Sequence, residues 1–206
     1  MTNEQEQPEF WEKNFSEKKE MWGLEPAHSA LKAKDIFLAQ GAKSILVPGF
    51  GYGRNAQLFR EEGMQVTGIE ISASAIAMAE KHYGPDMKVY HGSVTDMPLD
   101  EKHYDGIFCY GLIHLLGEQE RLKLIRDCYS QLADKGQMIF TTISKKAATY
   151  GTGTPIGKDR FEQFGGVTMF FYDQISIEEE FGSAGLEEIS DITENFPFYF
   201  IRCRKK

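Results

Sequence analysis

The 206 residues are 41% apolar and 26% charged, a balance that excludes a disordered, collagenous or membrane-spanning chain. The 31 acidic and 23 basic side chains leave a formal charge of −8, and such a field repels nucleic-acid phosphates, so a small-molecule partner is expected rather than a nucleic acid. The longest nearly apolar run, Gly106 to Leu116, holds two glycines and a histidine and is too short to cross a bilayer, so no membrane partner is expected.

The N-terminal MTNEQEQPEF is polar and acidic, without a basic segment leading into an apolar one, so no signal peptide is expected. The first amphipathic helix is expected from about Pro8 to Lys19, with proline suited to the first turn. A second runs from about Ala27 to Gln40, where Ala30, Ala33 and Phe37 recur at helical spacing, and Gly41 stops it. A regular alternation follows. Ser44 to Val47 reads as a buried strand. It leads into the glycines of Gly49 to Gly53 and a helix from about Arg54 to Glu62. Gln65 to Glu70 is a second strand, after which Ser72 can cap a helix reaching about His82. Met87 to His91 and Tyr104 to Tyr110 are the third and fourth strands. A helix over about Gln119 to Leu132 closes at Lys135-Gly136, and Gln137 to Ile143 is the fifth strand.

Strands alternating with helices predict a parallel sheet covered on both faces. Residues 145–170 show no clear period and read as a long loop, with Gly151, Gly153 and Gly157 giving hinge-like freedom to a lid over the site. Ser176 to Glu179 fits a capping box opening a short helix that ends near Gly182. Leu186 to Asn195 and Phe198 to Arg204 read as an antiparallel pair joined at Phe196-Pro197. The expected fold is one α/β domain. It has a Rossmann-like, seven-stranded, mostly parallel sheet with an antiparallel last strand and helices on both faces. Its three regions are a helical lid (1–40), a cofactor core (41–144) and a substrate side (145–206). Three scattered cysteines, Cys109, Cys128 and Cys203, make neither a disulfide framework nor a zinc site, so a cytoplasmic protein without metal is expected. The basic end Arg202, Arg204, Lys205, Lys206 reads as a solvated terminus. Oligomeric state is not legible.

The chemistry concentrates at the strand ends. Val47-Pro48-Gly49-Phe50-Gly51-Tyr52-Gly53 follows a strand and opens a helix, allowing a ligand close to the backbone and an anion at the helix start. The dinucleotide spacing G-x-G-x-x-G would place its last glycine on Arg54; the spacing present is G-x-G-x-G, more usual for S-adenosylmethionine. Glu70 ends the second strand 17 residues after Gly53, where an acid reaches two ribose hydroxyls. Ser93 and Val94 after the third strand can meet an adenine edge.

These residues resemble the class I S-adenosylmethionine-dependent methyltransferases, and within them thiopurine S-methyltransferase and its tellurite-resistance relatives. The likeness spans roughly residues 10–145 and is strongest at Trp11-Glu12-Lys13, Glu25 to Lys32, Ile45 to Pro48 and Gly68 to Ser72. It implies that Gly49, Phe50, Gly51 and Gly53 line the cofactor and that Glu70 holds the ribose. It further implies that Ile71 packs on adenine, that Ser93 and Val94 contact its edge, that Trp11 folds over it, and that Tyr110 borders the transfer pocket. Ser93 stands where many class I enzymes carry Asp, and Tyr110 where the thiopurine enzymes carry Arg.

The expected reaction is in-line methyl transfer to a small acceptor (thiol, chalcogen or other nucleophile) held roughly 3 Å from the methyl group, with water excluded. No catalytic residue is assigned. His114 and His28 are candidate bases, each with a packing role as the alternative. Trp22 reads as an anchor, and Phe161 and Phe164 as lining for an apolar pocket. The rival readings are an NAD(P)-dependent oxidoreductase, a cofactor-binding protein without catalysis, and a methyltransferase acting on nucleic acid or protein.

Overall fold

The computed structural model describes residues 7–97 and 103–206. Helices α1 (Gln7–Lys18) and α2 (His28–Ala39) precede β1 (Ser44–Pro48), α3 (Arg54–Glu61), β2 (Gln65–Glu70), α4 (Ala73–Tyr83), β3 (Lys88–His91), β4 (Tyr104–Tyr110), α5 (Glu118–Gln131) and β5 (Leu132–Ile143). Three short strands follow: β6 (Thr154–Gly157), β7 (Arg160–Gln163) and β8 (Val167–Phe170). Then come α6 (Gln174–Phe181), β9 (Leu186–Thr193) and β10 (Pro197–Arg204).

The main sheet has seven strands in the order β3-β2-β1-β4-β5-β10-β9. Strands β1 to β5 are parallel, and β10 is antiparallel to both β5 and β9, so β9 points the same way as the first five. Alternation along each strand supplies two cores. Ile45, Val47 and Phe108 face Phe37 and Phe59 of α2 and α3, while Leu46, Ile107 and Cys109 face Leu124, Cys128 and Phe181 of α5 and α6. Burial on both faces is why these strands read as apolar runs. Gly106 of β4 leaves room for that packing, since a Cβ there would lie 2.7 Å from the Phe37 ring.

Four expectations need correction. Residues 145–170 are not a structureless loop but contain the antiparallel sheet β6-β7-β8. Its strands are only four residues long, too short to show a period. Gly153 there is no hinge: a Cβ would sit 2.2 Å from the Glu162 carbonyl oxygen, so the residue serves close packing. Helix α6 is capped by Asp173, whose side chain accepts from the Ser176 N–H; Ser176 is the third residue of the helix and closes that capping box rather than starting it. Finally, Lys135-Gly136 does not close α5. The two residues lie inside β5, which begins at Leu132 opposite Tyr104.

The basic terminus is tied down: Arg202 and Arg204 pair with Glu187 and Glu188, and Lys205 donates to the Ser130 and Leu132 carbonyls beyond α5. The three cysteines are free and buried, no metal-ligating cluster occurs among the described residues, and no described helix is long and apolar enough to cross a membrane.

Candidate functional site

Strand order reverses between β1 and β4, each running into a loop at its carboxyl end, and ligands of open α/β sheets bind in the crevice this creates. A cavity of about 490 Å³ lies there, within the roughly 300–1,000 Å³ usual for small-molecule sites.

One end is built by the first three strand ends. Gly49, Gly51 and Gly53 all take left-handed φ values of 70°, 59° and 83°, which only glycine adopts without strain. The Gly49 and Phe50 N–H groups both donate to the Ile69 carbonyl, stitching the loop to β2. The buried Glu70 carboxylate organises the rest. Its Oε2 accepts from the Gly51 N–H at 2.7 Å, and its Oε1 accepts from the Ile71 and Ser72 N–H groups at 2.9 Å each. Burial pushes this carboxyl up from its ordinary value, and the three backbone donors pull against that. No side chain caps the start of α3, so its first N–H groups remain available.

Helix α1 closes over this end. Glu12 receives hydrogen bonds from the Ser72 hydroxyl at 2.6 Å, the Ser74 N–H at 3.1 Å and the Ser74 hydroxyl, which fastens α1 to the first turn of α4. These donors hold the Glu12 carboxyl below its usual range. Trp11, Phe15 and Trp22 form an aromatic cluster with Tyr52, whose ring stacks on Trp22 at 14°. Three residues of the loop and α3 grip the segment between the first two helices. The Tyr52 hydroxyl donates to the Gly23 carbonyl, Arg54 donates to the Trp22 and Glu25 carbonyls, and Asn55 accepts from the Ala27 N–H.

The other end lies beyond β4, β5 and β10. Leu112, Leu115, Ile143, Met169, Phe196 and Phe198 line it, with Tyr110 between the two ends. Phe196 belongs to the β9–β10 turn, and Glu194 of that turn pins it to α2 by accepting from the His28 and Ser29 N–H groups at 3.3 and 2.8 Å. Behind this wall Arg121 donates to Glu180 at 2.7 Å and to the Leu116 carbonyl, and lies 4.0 Å from the Phe170 ring centroid.

The expected residues sort as follows. Trp11, Gly49, Gly51, Glu70, Ile71, Ser93, Val94 and Tyr110 all line the cavity. Phe50 also lines it, but its buried ring points under Gly68, where a Cβ would come 2.3 Å from it; Phe50 chiefly packs the loop. Gly53 does not line the cavity. It sits against Phe50 and Ala79 at the start of α3. The Ser93 hydroxyl is already engaged, accepting from the Thr95 N–H at 3.1 Å. Trp22 lines the cavity as well as packing. Phe164 reaches the cavity whereas Phe161 packs on Tyr150 and Phe171.

His28 is exposed and outside the cavity, with Nδ1 facing the Thr193 carbonyl at 3.2 Å. His114 is in the cavity but is not poised as a base. Its Nδ1 faces the Ile143 N–H at 3.5 Å, and burial pushes its pKa down to about 3. Sequence reasoning missed Tyr52, Arg54, Asn55, Phe196 and Phe198. A signal for the last two existed, because a hairpin appended to a parallel sheet brings its turn to the edge where ligands bind.

Solved structures with little sequence identity share this fold. One is 1,6-didemethyltoxoflavin-N1-methyltransferase of Burkholderia thailandensis with its substrate and S-adenosylhomocysteine, at a TM-score of 0.75 and 14% identity over 97% of this chain and 87% of that one. Another is magnesium protoporphyrin IX methyltransferase of Synechocystis with S-adenosylmethionine, at a TM-score of 0.68 and 13% identity over 97% of each chain. The fold is that of the class I S-adenosylmethionine-dependent methyltransferases. Residues 45–136, which run from β1 into β5, match the family described as a methyltransferase domain. Among curated proteins, a probable S-adenosylmethionine-dependent methyltransferase of Mycobacterium tuberculosis is 26% identical over 115 residues, 56% of this chain and 41% of that protein. A ubiquinone biosynthesis O-methyltransferase of Pseudomonas entomophila is 25% identical over 145 residues, 68% of this chain and 60% of that protein. The aligned region thus spans less than two thirds of these relatives' length.

Proposed function

We propose that this chain is an S-adenosylmethionine-dependent methyltransferase acting on a small molecule. The observation that carries the reading is one continuous cavity with two chemistries: the Glu70–Gly51 clamp at one end, and the apolar wall of Leu115, Met169 and Phe198 at the other. The residues present fit the cofactor. Glu70 Oε2 has an acceptor position free for a ribose hydroxyl, Ile71 and Val94 offer apolar contact to adenine, and the uncapped start of α3 suits a carboxylate. When bound, the cofactor supplies a methyl carbon on a positively charged sulfur: the acceptor's lone pair forms the new bond, the carbon–sulfur electron pair stays on sulfur, and the charge passes to the acceptor atom. The chain's own part is to hold the two molecules in register and exclude water, which Trp11 and Trp22 do from above and Phe196 and Phe198 from the far side.

Arg54 in place of a third fingerprint glycine and the antiparallel β10 speak against a nicotinamide oxidoreductase. The finer likeness to the thiopurine and tellurite-resistance enzymes rests on sequence segments alone, Ile45 to Pro48 among them. Calorimetric titration with S-adenosylhomocysteine tests the reading, with saturable one-to-one binding expected. Folded protein that ignores it but binds NADH would overturn the proposal.

A further inference from the structure

The acceptor end has a charge pattern of its own. Its walls are aliphatic and aromatic, and among the described lining residues Glu120 alone brings a formal charge to it, with its Oε2 accepting from the Gly117 N–H at 2.6 Å. Arg54, the cation among those lining residues, lies 5.5 Å from the Tyr110 ring centroid with Nη1 committed to the Trp22 and Glu25 carbonyls. His114 lies edge-on to Phe198 at 5.6 Å, and with the Ile143 N–H 3.5 Å from its Nδ1 the tautomer that fits carries the ring proton on Nε2. A neutral imidazole so oriented is a hydrogen-bond donor on its second nitrogen.

We propose that the acceptor is an uncharged, flat, largely apolar molecule that presents a hydrogen-bond acceptor to His114 Nε2–H, and that this end rejects anions. The proposal rests on the cofactor reading above, which defines which end receives the acceptor. An oxyanion or carboxylate entering here would exchange its hydration for hydrocarbon walls, with the Glu120 carboxylate as neighbour and no Lys or Arg besides Arg54 among the described lining residues; Arg160, the nearby cation, sits behind the wall beside Gly117 and donates to the Thr168 hydroxyl. A neutral ring instead gains apolar burial and contact with the faces of Tyr110, Phe196 and Phe198. The charge that arrives on the acceptor atom is positive, and aromatic faces together with the Glu120 carboxylate favour it. The attacking atom must already carry its lone pair, as a ring nitrogen or a thioether does. His114 is a poor base for taking a proton first, since that tautomer already carries one on Nε2 and burial pushes its pKa down to about 3.

Three probes on one bicyclic ring framework test this on protein saturated with S-adenosylhomocysteine near neutral pH, with binding followed by calorimetry. Quinoline is neutral with one acceptor nitrogen, naphthalene is neutral with none, and 1-naphthoate is an anion. The expected order of affinity is quinoline, naphthalene, naphthoate, with at least about tenfold between the first and the last. One neutral hydrogen bond corresponds to about three- to tenfold between the first two. His114→Phe, which keeps a ring against Phe198, should bring quinoline to the level of naphthalene. Naphthoate binding as tightly as quinoline overturns the proposal, as does a cofactor-loaded protein that binds none of the probes, or a His114→Phe protein that still prefers quinoline. If His114→Phe does not fold, the order on the wild type decides alone. Failure of folded wild type to bind S-adenosylhomocysteine is a different result and removes the cofactor reading itself.

Discussion

Glu70→Gln is the most informative single change, because the carboxylate's capacity can be counted. An ionised carboxylate has about four acceptor positions. Three are taken: two on Oε1 by the Ile71 and Ser72 N–H groups at 2.9 Å, and one on Oε2 by the Gly51 N–H at 2.7 Å. One position on Oε2 is left, so on this count one ribose hydroxyl is expected to bind the carboxylate more strongly than the other. In the glutamine variant the amide oxygen stays where two N–H groups converge, and the NH2 group replaces Oε2. That group donates, so it opposes the Gly51 N–H and cannot accept from ribose. The lost charge-assisted hydrogen bond is worth about 1.5–3 kcal/mol, or about 10- to 150-fold in affinity for S-adenosylhomocysteine. The unpaired Gly51 N–H costs about 1–3 kcal/mol of stability, and each kcal/mol lowers Tm by about 2–4 °C at this size. Calorimetry on wild type and variant, with the 2′-deoxy and 3′-deoxy analogues alongside, measures the first effect and a thermal melt the second. Binding by the variant within about threefold of wild type, or equal losses for the two deoxy analogues, would refute the reasoning.

Other outcomes follow from the same contacts. Gly68→Ala places a methyl group 2.3 Å from the Phe50 ring; overpacking of about 1–3 kcal/mol should lower Tm and weaken cofactor binding by displacing the loop, and an unchanged melt would contradict it. Glu194→Ala uncaps α2 and frees the β9–β10 turn, for a loss of about 0.5–2 kcal/mol readable in urea unfolding; equal midpoints would show that the cap does not matter. The pKa of His114 in the folded chain is pushed from 6.5 down to about 3, so the unfolded chain takes up this proton first as pH falls. Its contribution is therefore intact above about pH 6.5 and is lost between there and about pH 3, by up to about 1.4 kcal/mol per unit. His114→Phe should flatten the fall in stability between pH 6.5 and 5; parallel curves would refute the assignment.

The division between what was legible and what was not follows range. Local signals placed β1 to β4, the glycine loop and Glu70 close to where they lie, since buried parallel strands announce themselves as apolar runs and a loop needing φ > 0 must write glycine. The same locality accounts for the errors. The strands β6 to β8 are four residues each and their partners are one another, so neither period nor composition marked them. Ser176 looked like a cap because the pattern after it fitted, yet Asp173 three residues earlier holds that role.

From the sequence by itself came the proposed cofactor end, because one loop, one strand end and their spacing carry it over about 25 consecutive residues. The proposed acceptor end was brought together only by tertiary structure. Tyr110, His114, Ile143, Met169 and Phe198 come from separate elements, and they meet because β10 runs back against β5 and returns the β9–β10 turn to the edge where β4 and β5 end. Whether His114 is a base or a donor depends on burial and on the Ile143 N–H, which the residues around position 114 do not specify.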